Sequence, residues 1–179
     1  MGKNKKRFYI VVLLVVLFIA AGYLIYVTYI KPISLVKRPV PVKELVTLYY
    51  YNPDTDTLEP EQREITATND LLNKCRNIIS ELEKASHKGL VTPIPAGVRI
   101  NDAMLQSNGV LLLDLNGELI SKTPEGSSAE ITAIYSIVNS LAKNIDGVKA
   151  VQITVNGKRI QTLETHIETD QPIVPDYSK

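Results

Sequence analysis

An uncharged apolar run near the N-terminus constrains this chain more than any other feature. The run "FYIVVLLVVLFIAAGYLIYVTYI", Phe8 to Ile30, has 23 residues and no charged side chain. About 20 apolar residues cross the hydrocarbon core of a bilayer as a helix. The run continues past the small residues "AAG" at positions 20–22, which makes it too long for the core of a cleaved signal peptide. The sequence therefore predicts an uncleaved transmembrane helix over residues 8–30, with a cleaved signal peptide as the alternative.

Basic residues flank this run on both sides. Four of them lie in residues 1–7, and four more follow the run within residues 31–43, so the positive-inside count is a tie. The first cluster is denser and closer to the bilayer, which favours residues 1–7 as a cytoplasmic tail. The predicted localisation is a single pass through the cytoplasmic membrane, with the C-terminal domain extracytoplasmic.

The segment after the apolar run is "KPISLVKRPVPVK", residues 31–43, which has three prolines and four basic residues. Proline fixes its own backbone and favours an extended residue before it, so we predict a semi-rigid spacer. A domain is predicted over residues 44–175, followed by a C-terminal tail over residues 176–179. Without residues 1–7 the chain carries a formal charge of −3, which lacks the electrostatic footprint of a nucleic-acid binder.

The first half of the domain predicts two strands and a helix. The segment "ELVTLYYY" is rich in β-branched and aromatic residues and ends at Asn52-Pro53. A second, short strand is predicted near residues 63–66. Asn69 is the predicted N-cap of the following helix, with Asp70 in its first turn. The helix shows one apolar stripe at helical period, formed by Leu71, Leu72, Cys75, Ile78, Ile79 and Leu82.

The second half repeats this order. Strands are predicted near residues 98–106 and 110–115, joined by a hairpin turn that ends at Gly109. The second strand, "VLLLDL", is nearly all apolar, so we expect it to be central with both faces covered. Ser127 and Glu130 have the spacing of a capping box, and an apolar helical stripe follows. "KAVQITV" and "KRIQTL" form a last hairpin around Asn156-Gly157, a type I′ turn signal.

The predicted order is therefore ββα-ββα-ββ. We predict an α+β fold in which a single mixed sheet packs two amphipathic helices on one face, after one N-terminal transmembrane helix.

Histidine and cysteine give weak signals for chemistry. His87 and His166 each lack a second histidine or cysteine at ligand spacing. His166 has acidic neighbours at 164, 168 and 170, which leaves a metal or acid–base site as an alternative to a surface histidine. Cys75 lies on an apolar stripe, where a free cysteine behaves as a small hydrophobe. The lone cysteine also excludes a disulfide framework.

Two acidic segments are candidate sites. The segment "DTDTLEPE" concentrates four carboxylates in one turn, without the separation around a cleft that glycoside hydrolysis requires; they are Asp54, Asp56, Glu59 and Glu61. The segment "DLNGELISKTPE" matches a calcium loop at Asp114, Asn116 and Glu125, but has Leu119 where the loop needs glycine. Solvated turns are the favoured interpretation of both.

The sequence contains no G-x-S-x-G, P-loop, H-E-x-x-H or dinucleotide motif. We therefore predict no catalytic residue, no cofactor and no metal. Tyr49, Tyr50 and Tyr51 on the first strand are interpreted as packing residues, with a partner-binding surface as the alternative.

Four segments in order resemble a known family, the GerMN domain of sporulation and spore-germination proteins. They are "VTLYYYNPDTDTLEPEQREI", with its "L-x-P-E-x-R" stretch, "IPAGVRI" followed by "VLLLDLN", "SSAEITAIYSIVNSLAKNIDGVKAVQITVNGK", and "LETHIETDQPI". The chain departs from the family at "KASHKGLVT", where a Gly-Pro step is common, and at Thr165, where a glycine is common. The resemblance covers about residues 44–175.

The resemblance implies an extracytoplasmic domain tethered to the membrane, with no known enzymatic activity and no catalytic residues to transfer. It also implies a similarity to the ring-building modules of secretion systems. The leading hypothesis is a non-enzymatic assembly or scaffold module of a bacterial envelope complex, which contacts envelope proteins or copies of itself through a helix-free sheet face or an edge strand. The alternatives are a module that binds peptidoglycan or another wall polymer, and a wall-modifying hydrolase.

Overall fold

A computed structural model of the chain describes residues 2–30, 41–123, 127–159 and 171–179. The chain divides into two units, residues 1–40 and 41–179. In the first unit, helix α1 (Lys3–Ile25) continues into a π-helical turn (Tyr26–Ile30). The stretch Lys5–Tyr29 is long and apolar enough to cross a membrane. This helix indicates membrane association, as an anchor or as a signal sequence.

The second unit begins with a hairpin of two long strands, β1 (Lys43–Asn52) and β2 (Thr57–Thr66). The strands pair antiparallel, with Leu48 opposite Glu61. A strand is present at the predicted residues 63–66, but the prediction that it is short was wrong, because β2 begins six residues earlier and includes Pro60. Proline lacks an N–H, so a strand tolerates it where the nitrogen points away from the partner strand.

Helix α2 (Leu71–Leu82) follows the hairpin and buries the predicted stripe, including Cys75 and Ile79. Its N-cap is Asp70 rather than the predicted Asn69. The Asp70 carboxylate accepts the backbone N–H of Asn73 at 2.7 Å, which satisfies one of the free donors of the first turn.

A second sheet contains four strands in the order β3-β4-β5-β6: β3 (Ile100–Leu105), β4 (Val110–Leu115), β5 (Ala150–Val155) and β6 (Lys158–Arg159). β4 and β5 run parallel and the other pairs are antiparallel, so this sheet is mixed. β4 is central, as predicted. Its two faces differ, however: Leu111, Leu113 and Leu115 are buried, while the alternate residues are only half-buried. The expectation that both faces are covered was wrong.

The connections in this half match the turn signals. Gly109 has φ +90°, and its N–H donates to Gln106 O at 3.0 Å to close the β3–β4 hairpin. Asn156 and Gly157 have φ of 50° and 73°, the positive pair that a type I′ turn requires. A short helix α3 (Glu118–Lys122), which was not predicted, precedes α4 (Ser127–Asn144).

Several sequence-based predictions lie outside the described residues. They include residues 31–40 of the predicted spacer, the side chain of Ser127 in the proposed capping box, and the continuation of the β6 strand beyond Arg159.

The α+β class and the element order are confirmed, but the strands divide between two sheets instead of one. A single core joins both sheets to α2 and α4. Its fully buried members include Leu48, Tyr50, Ile78, Leu82, Leu111, Leu113, Ile134, Ile137, Leu141, Val151 and Ile153. Because both sheets contribute to one core, they fold as one domain.

Candidate interaction surfaces

Helix α4 covers the outer edge of β1 with polar side chains. Ser136, Ser140 and Asn144 recur every four residues and so lie on one side of the helix. Ser140 Oγ accepts the Tyr49 N–H at 3.0 Å, and Ser136 Oγ donates to Tyr49 O at 2.6 Å. Asn144 accepts the Thr47 N–H at 2.8 Å and donates to Thr47 O at 2.7 Å. A row of side chains thus makes the bonds that a neighbouring strand would make.

The next residue along this edge is also bonded. The N–H and C=O groups of Tyr51 pair with the backbone of Val91 at 3.0 and 2.8 Å. The edge of β1 is therefore closed from Thr47 to Tyr51. Tyr49 and Tyr50 are buried, as predicted for packing residues, whereas Tyr51 is half-buried.

A buried ion pair lies on the core side of the β hairpin. Arg63 Nε is 3.0 Å from Glu61 Oε1, and both side chains are almost completely buried. Arg63 also donates to the Tyr50 hydroxyl at 3.2 Å and to the backbone of Ala85, and it contacts the exposed ring of His87. The expectation of a solvated turn was wrong for Glu61, because the side chain of this mid-strand residue points inward.

The environment of Glu61 stabilises its charged form. Burial by itself would raise the pKa of this carboxyl group. The hydrogen bonds from the Ser86 hydroxyl and the His87 N–H, together with the charge of Arg63, outweigh burial and lower the pKa. The Arg63 Nε atom makes the ion pair with Glu61 but no hydrogen bond of its own, whereas the Glu61 carboxylate has hydrogen-bonding partners in Ser86 and His87. We interpret the network as a stabilising element of the hairpin.

The other acidic candidates also have local partners. Asp56 accepts the Tyr51 hydroxyl at 2.9 Å, and Glu59 accepts the Asn52 amide at 2.6 Å. The side chain of Asn52 in turn accepts the Asp54 N–H at 2.9 Å. These contacts order the hairpin loop, and they do not bring two carboxylates together across a cleft.

The second acidic segment is likewise tied to its surroundings. Asp114 accepts hydrogen bonds from Asn101, Thr154 and the Gly157 N–H at 2.7–2.9 Å. Burial would raise its pKa, but these bonds outweigh burial and lower it. Asn116 bonds the backbone of residues 97 and 99. Within residues 2–30, 41–123, 127–159 and 171–179, no group of three or more His, Cys, Asp or Glu side chains could hold a metal.

Cys75 has none of the properties of a nucleophile. It is fully buried, and burial raises the pKa of its thiol to about 12. His166 and its acidic neighbours, and Glu125 of the calcium-loop segment, lie outside the described residues.

A groove runs beside the first turns of α4, and we name it the α4 groove. Its cavity has a volume of about 420 Å³. It is lined by Tyr51, Val91, Thr92, Pro93, Ile94, Pro95, Lys122, Thr123, Ser128, Ala129 and Thr132. The ammonium group of Lys122 is 2.6 Å from Glu118, so the charge at the rim is already paired. The lining that the structure describes is mostly apolar, with hydroxyl groups along one side.

The outer edge of β3 is the counterpart of the closed β1 edge. The Gln106 N–H donates to Val110 O, so Gln106 and Val110 are the first hydrogen-bonded pair of the β3–β4 hairpin. Antiparallel pairs alternate, so the N–H and C=O groups of Ala103 and Leu105 point away from β4. Arg76 of α2 caps the start of the strand through Ile100 O at 3.0 Å and Asn101 O at 3.2 Å.

We name residues 102–106 the β3 edge. Met104 lies in its middle on the side of the sheet that faces away from the core, and it is 54% exposed. The same side carries a shallow depression of about 300 Å³, lined by Asp102, Met104, Leu112, Leu113, Asp114, Gln152, Thr154 and Arg159.

Sequence reasoning missed three of these features: the ion pair, the closed β1 edge and the open β3 edge. For the closed edge a signal existed, since polar residues repeat every four positions along α4.

The fold defines the chain as a GerMN-type α+β domain behind an apolar helix. Two structures from the sporulation protein GerM of Bacillus subtilis are similar. The tandem GerMN domains match with a TM-score of 0.58 and 20% identity, over 80% of this chain and 50% of that chain. The first GerMN domain matches with a TM-score of 0.51 and 14% identity, over 76% of this chain and 98% of that chain.

A protein described as a lipoprotein from Clostridium perfringens has a TM-score of 0.50 and 17% identity, over 77% of this chain and 93% of that chain. No curated protein matches this chain. The family model Germane, "Sporulation and spore germination", matches residues 47–161. The chain belongs to this family, which confirms the resemblance to it; apart from Val46, the matched residues include the first three of the four sequence segments.

Proposed function

We propose that this chain is a non-enzymatic, membrane-tethered assembly module of a bacterial envelope complex. Residues 1–7 are cytoplasmic in this proposal, and the domain stands outside the membrane on its spacer. Family membership and the apolar helix support the setting. The observation that carries the proposal is the open β3 edge with the exposed Met104 at its centre.

The contrast between the two outer edges supports this role. Unpaired strand edges are templates for pairing with another chain, and folded proteins usually cover them. Here, α4 and Val91 close the β1 edge with direct hydrogen bonds. At the start of the β3 edge Arg76 bonds Ile100 O and Asn101 O, and Asp102 accepts the Ala103 N–H. No hydrogen bond from another described element reaches Ala103 or Leu105. A partner that adds a strand there gains main-chain hydrogen bonds and a contact with Met104.

A photo-crosslinking residue at position 104 of the full-length protein in cells tests this proposal. We expect fixed adducts with envelope proteins or with the chain itself, identified by mass analysis. Ile120 on α3 is the matched control, because it is a similarly sized, 44% exposed apolar residue away from the β3 edge. Wall fragments alone, nothing at all, or the same adducts from both positions would contradict the assembly role.

The α4 groove favours one alternative, a module that binds peptidoglycan or another wall polymer. Tyr51 offers an aromatic face there, and Thr92, Ser128 and Thr132 offer hydroxyl groups. Co-sedimentation of the protein with purified sacculi, before and after Thr132→Leu, tests this function. Loss of co-sedimentation in this variant, with adducts absent at position 104, would replace the assembly proposal by the polymer-binding one.

A further inference from the structure

We propose that the β3 edge pairs with the β3 edge of a second copy of this chain, antiparallel, about a two-fold axis through Met104. This inference rests on the proposed function, since it names the partner that the assembly surface takes. Three features of the strand support this pairing: its hydrogen-bond phase, the length of its open edge and the residues that would lie opposite each other.

The hydrogen-bond phase fits a two-fold pairing centred on Met104. The outward N–H and C=O groups belong to Ala103 and Leu105, one on each side of Met104. In an antiparallel dimer centred there, Ala103 of one copy faces Leu105 of the other. Each such pair exchanges two hydrogen bonds, and the two-fold axis generates the second pair. A centre on Ala103 or on Leu105 would also be symmetric, but each would use fewer residues of the short open edge.

The ends of the open edge limit the pairing to this register. Arg76 holds Ile100 O and Asn101 O at one end. The other end is the hairpin turn, where the N–H and C=O of Gln106 are both bonded within the hairpin. The residues with outward backbone groups between these ends are Ala103 and Leu105, and they are symmetric about Met104.

The side chains opposite each other are compatible in this register. Met104 faces its own copy as a non-hydrogen-bonded pair, in which the Cα atoms are about 4.5 Å apart and the side chains touch. Asp102 faces Gln106 of the second copy, so its carboxylate meets an amide donor instead of a like charge. Both residues are exposed.

Asp102 also restrains the pairing. Its Oδ1 accepts the outward N–H of Ala103 at 2.9 Å, and this bond must be released before a second strand can accept that N–H. Four main-chain bonds and one methionine contact make a small interface. A common membrane raises the effective concentration of two anchored copies. The pairing is therefore expected in membranes and not in dilute solution.

Cysteine crosslinking of the full-length protein in membranes tests the register. Cys75 is buried and its thiol has a raised pKa, so a new cysteine can be followed alone. Met104→Cys is expected to give a covalent dimer on mild oxidation, because the Cα separation of such a pair suits a disulfide. Asp102→Cys and Gln106→Cys are each expected to give little dimer alone but a heterodimer when co-expressed. Ile120→Cys is the control for random collision.

A second measurement uses the bond that restrains the edge. Asp102→Ala, placed in the Met104→Cys background, frees the Ala103 N–H. The dimer yield is expected to rise about two- to fivefold, the factor that corresponds to one modest hydrogen bond. Asp146→Ala, which removes an exposed carboxylate near the end of α4, is the matched control and is expected to leave the yield unchanged.

The outcomes separate this inference from the proposed function. No dimer from Met104→Cys, or an equal dimer from Ile120→Cys, overturns the two-fold pairing. Strong dimers from Asp102→Cys alone overturn the register. If the photo-crosslinker at position 104 captures other envelope proteins while Met104→Cys gives no dimer, the assembly role stands and self-pairing fails. If it captures nothing, both fail.

Discussion

The hydroxyl oxygen of Ser140 accepts the backbone N–H of Tyr49 at 3.0 Å, with both residues buried. Through this bond and those of Ser136 and Asn144, α4 occupies the position that a further strand would take beside β1. Each turn of α4 presents one polar side chain to the strand, and the alternate residues of β1 present their backbone groups. The two-stranded sheet is thereby joined to the rest of the domain by hydrogen bonds as well as by the apolar core.

Ser140→Ala should destabilise the domain measurably. The change leaves the buried Tyr49 N–H without an acceptor, which costs about 1–3 kcal/mol. The free energy of unfolding is measured by denaturant titration of the full-length protein in detergent, followed by circular dichroism. Ser128→Ala on the same helix is the control, because Ser128 is exposed and its loss should change stability by less than about 0.5 kcal/mol. Equal effects of the two changes would refute the role of the closed edge.

Arg63→Met should be more damaging than any surface change in the domain. It leaves the Glu61 carboxylate buried without its partner, which costs about 3–5 kcal/mol. The double variant Glu61→Leu with Arg63→Met removes both charges and should recover part of that loss. The same denaturant titration measures all three proteins.

Arg99→Met is the matched control for the ion pair. The Arg99 guanidinium is 67% exposed and 3.6 Å from Glu83, so its loss should cost less than about 1 kcal/mol. A double variant that is less stable than Arg63→Met alone would show that the buried charges do not act as a pair.

Acid should weaken the domain through Glu61 and Asp114. Both carboxyl groups have a pKa below the usual value in the folded protein. A lowered pKa means that the unfolded chain binds the proton more readily, so these groups contribute stability above their unfolded pKa values, about 4. That stability is lost as the pH falls through the lower, folded pKa values.

The measurement is the free energy of unfolding between pH 7 and pH 2.5. The wild type should lose stability progressively below pH of about 4.5. Asp114→Asn should be less stable at neutral pH and show a shallower decline. A decline of unchanged steepness in this variant would mean that Asp114 does not contribute to the acid sensitivity.

Cys75 should resist thiol reagents in the folded protein. The side chain is fully buried and burial raises its pKa to about 12, so the thiolate that reacts is both scarce and inaccessible. Labelling with a maleimide, read by mass spectrometry, should be slow in buffer and complete in denaturant. Rapid labelling without denaturant would show that α2 opens readily. An Ile120→Cys protein supplies the rate for an exposed thiol.

Much of the fold follows from local patterns. Both helices bury the central part of their predicted apolar stripes and leave the ends half-buried, as at Leu71 of α2 and Ile131 of α4. A period of 3.6 residues places these apolar residues on one face, which packs against the core. The turns at Gly109 and at Asn156-Gly157 require residues with positive φ. Few residues other than glycine and asparagine adopt positive φ readily, so the sequence predicts both turns. The observed N-cap of α2, Asp70, lies one position after the predicted one, Asn69. Both residue types are suitable N-caps, and the backbone path into the helix decides between them.

Other features depend on partners that are distant in sequence. Glu61 was interpreted as part of a solvated turn because acidic residues cluster around it. The structure buries it because Arg63, Ser86 and His87 reach it from two other segments. The closing of the β1 edge was not predicted either: the polar residues of α4 repeat every four positions, but this pattern does not show that residues 136–144 approach residues 47–49.

The sequence by itself determined an apolar helix, two amphipathic helices, their hairpins and membership of a sporulation and germination family. These depend on periodicity, on backbone φ preferences and on segments that can be recognised in order. Only the tertiary structure decided that the strands form two sheets, that α4 closes the edge of β1, and that an ion pair is buried on the core side of the β1–β2 hairpin. These features depend on which backbone and side-chain groups meet across long separations in the sequence. A hydrogen bond or a buried ion pair forms only when the fold has brought both partners together.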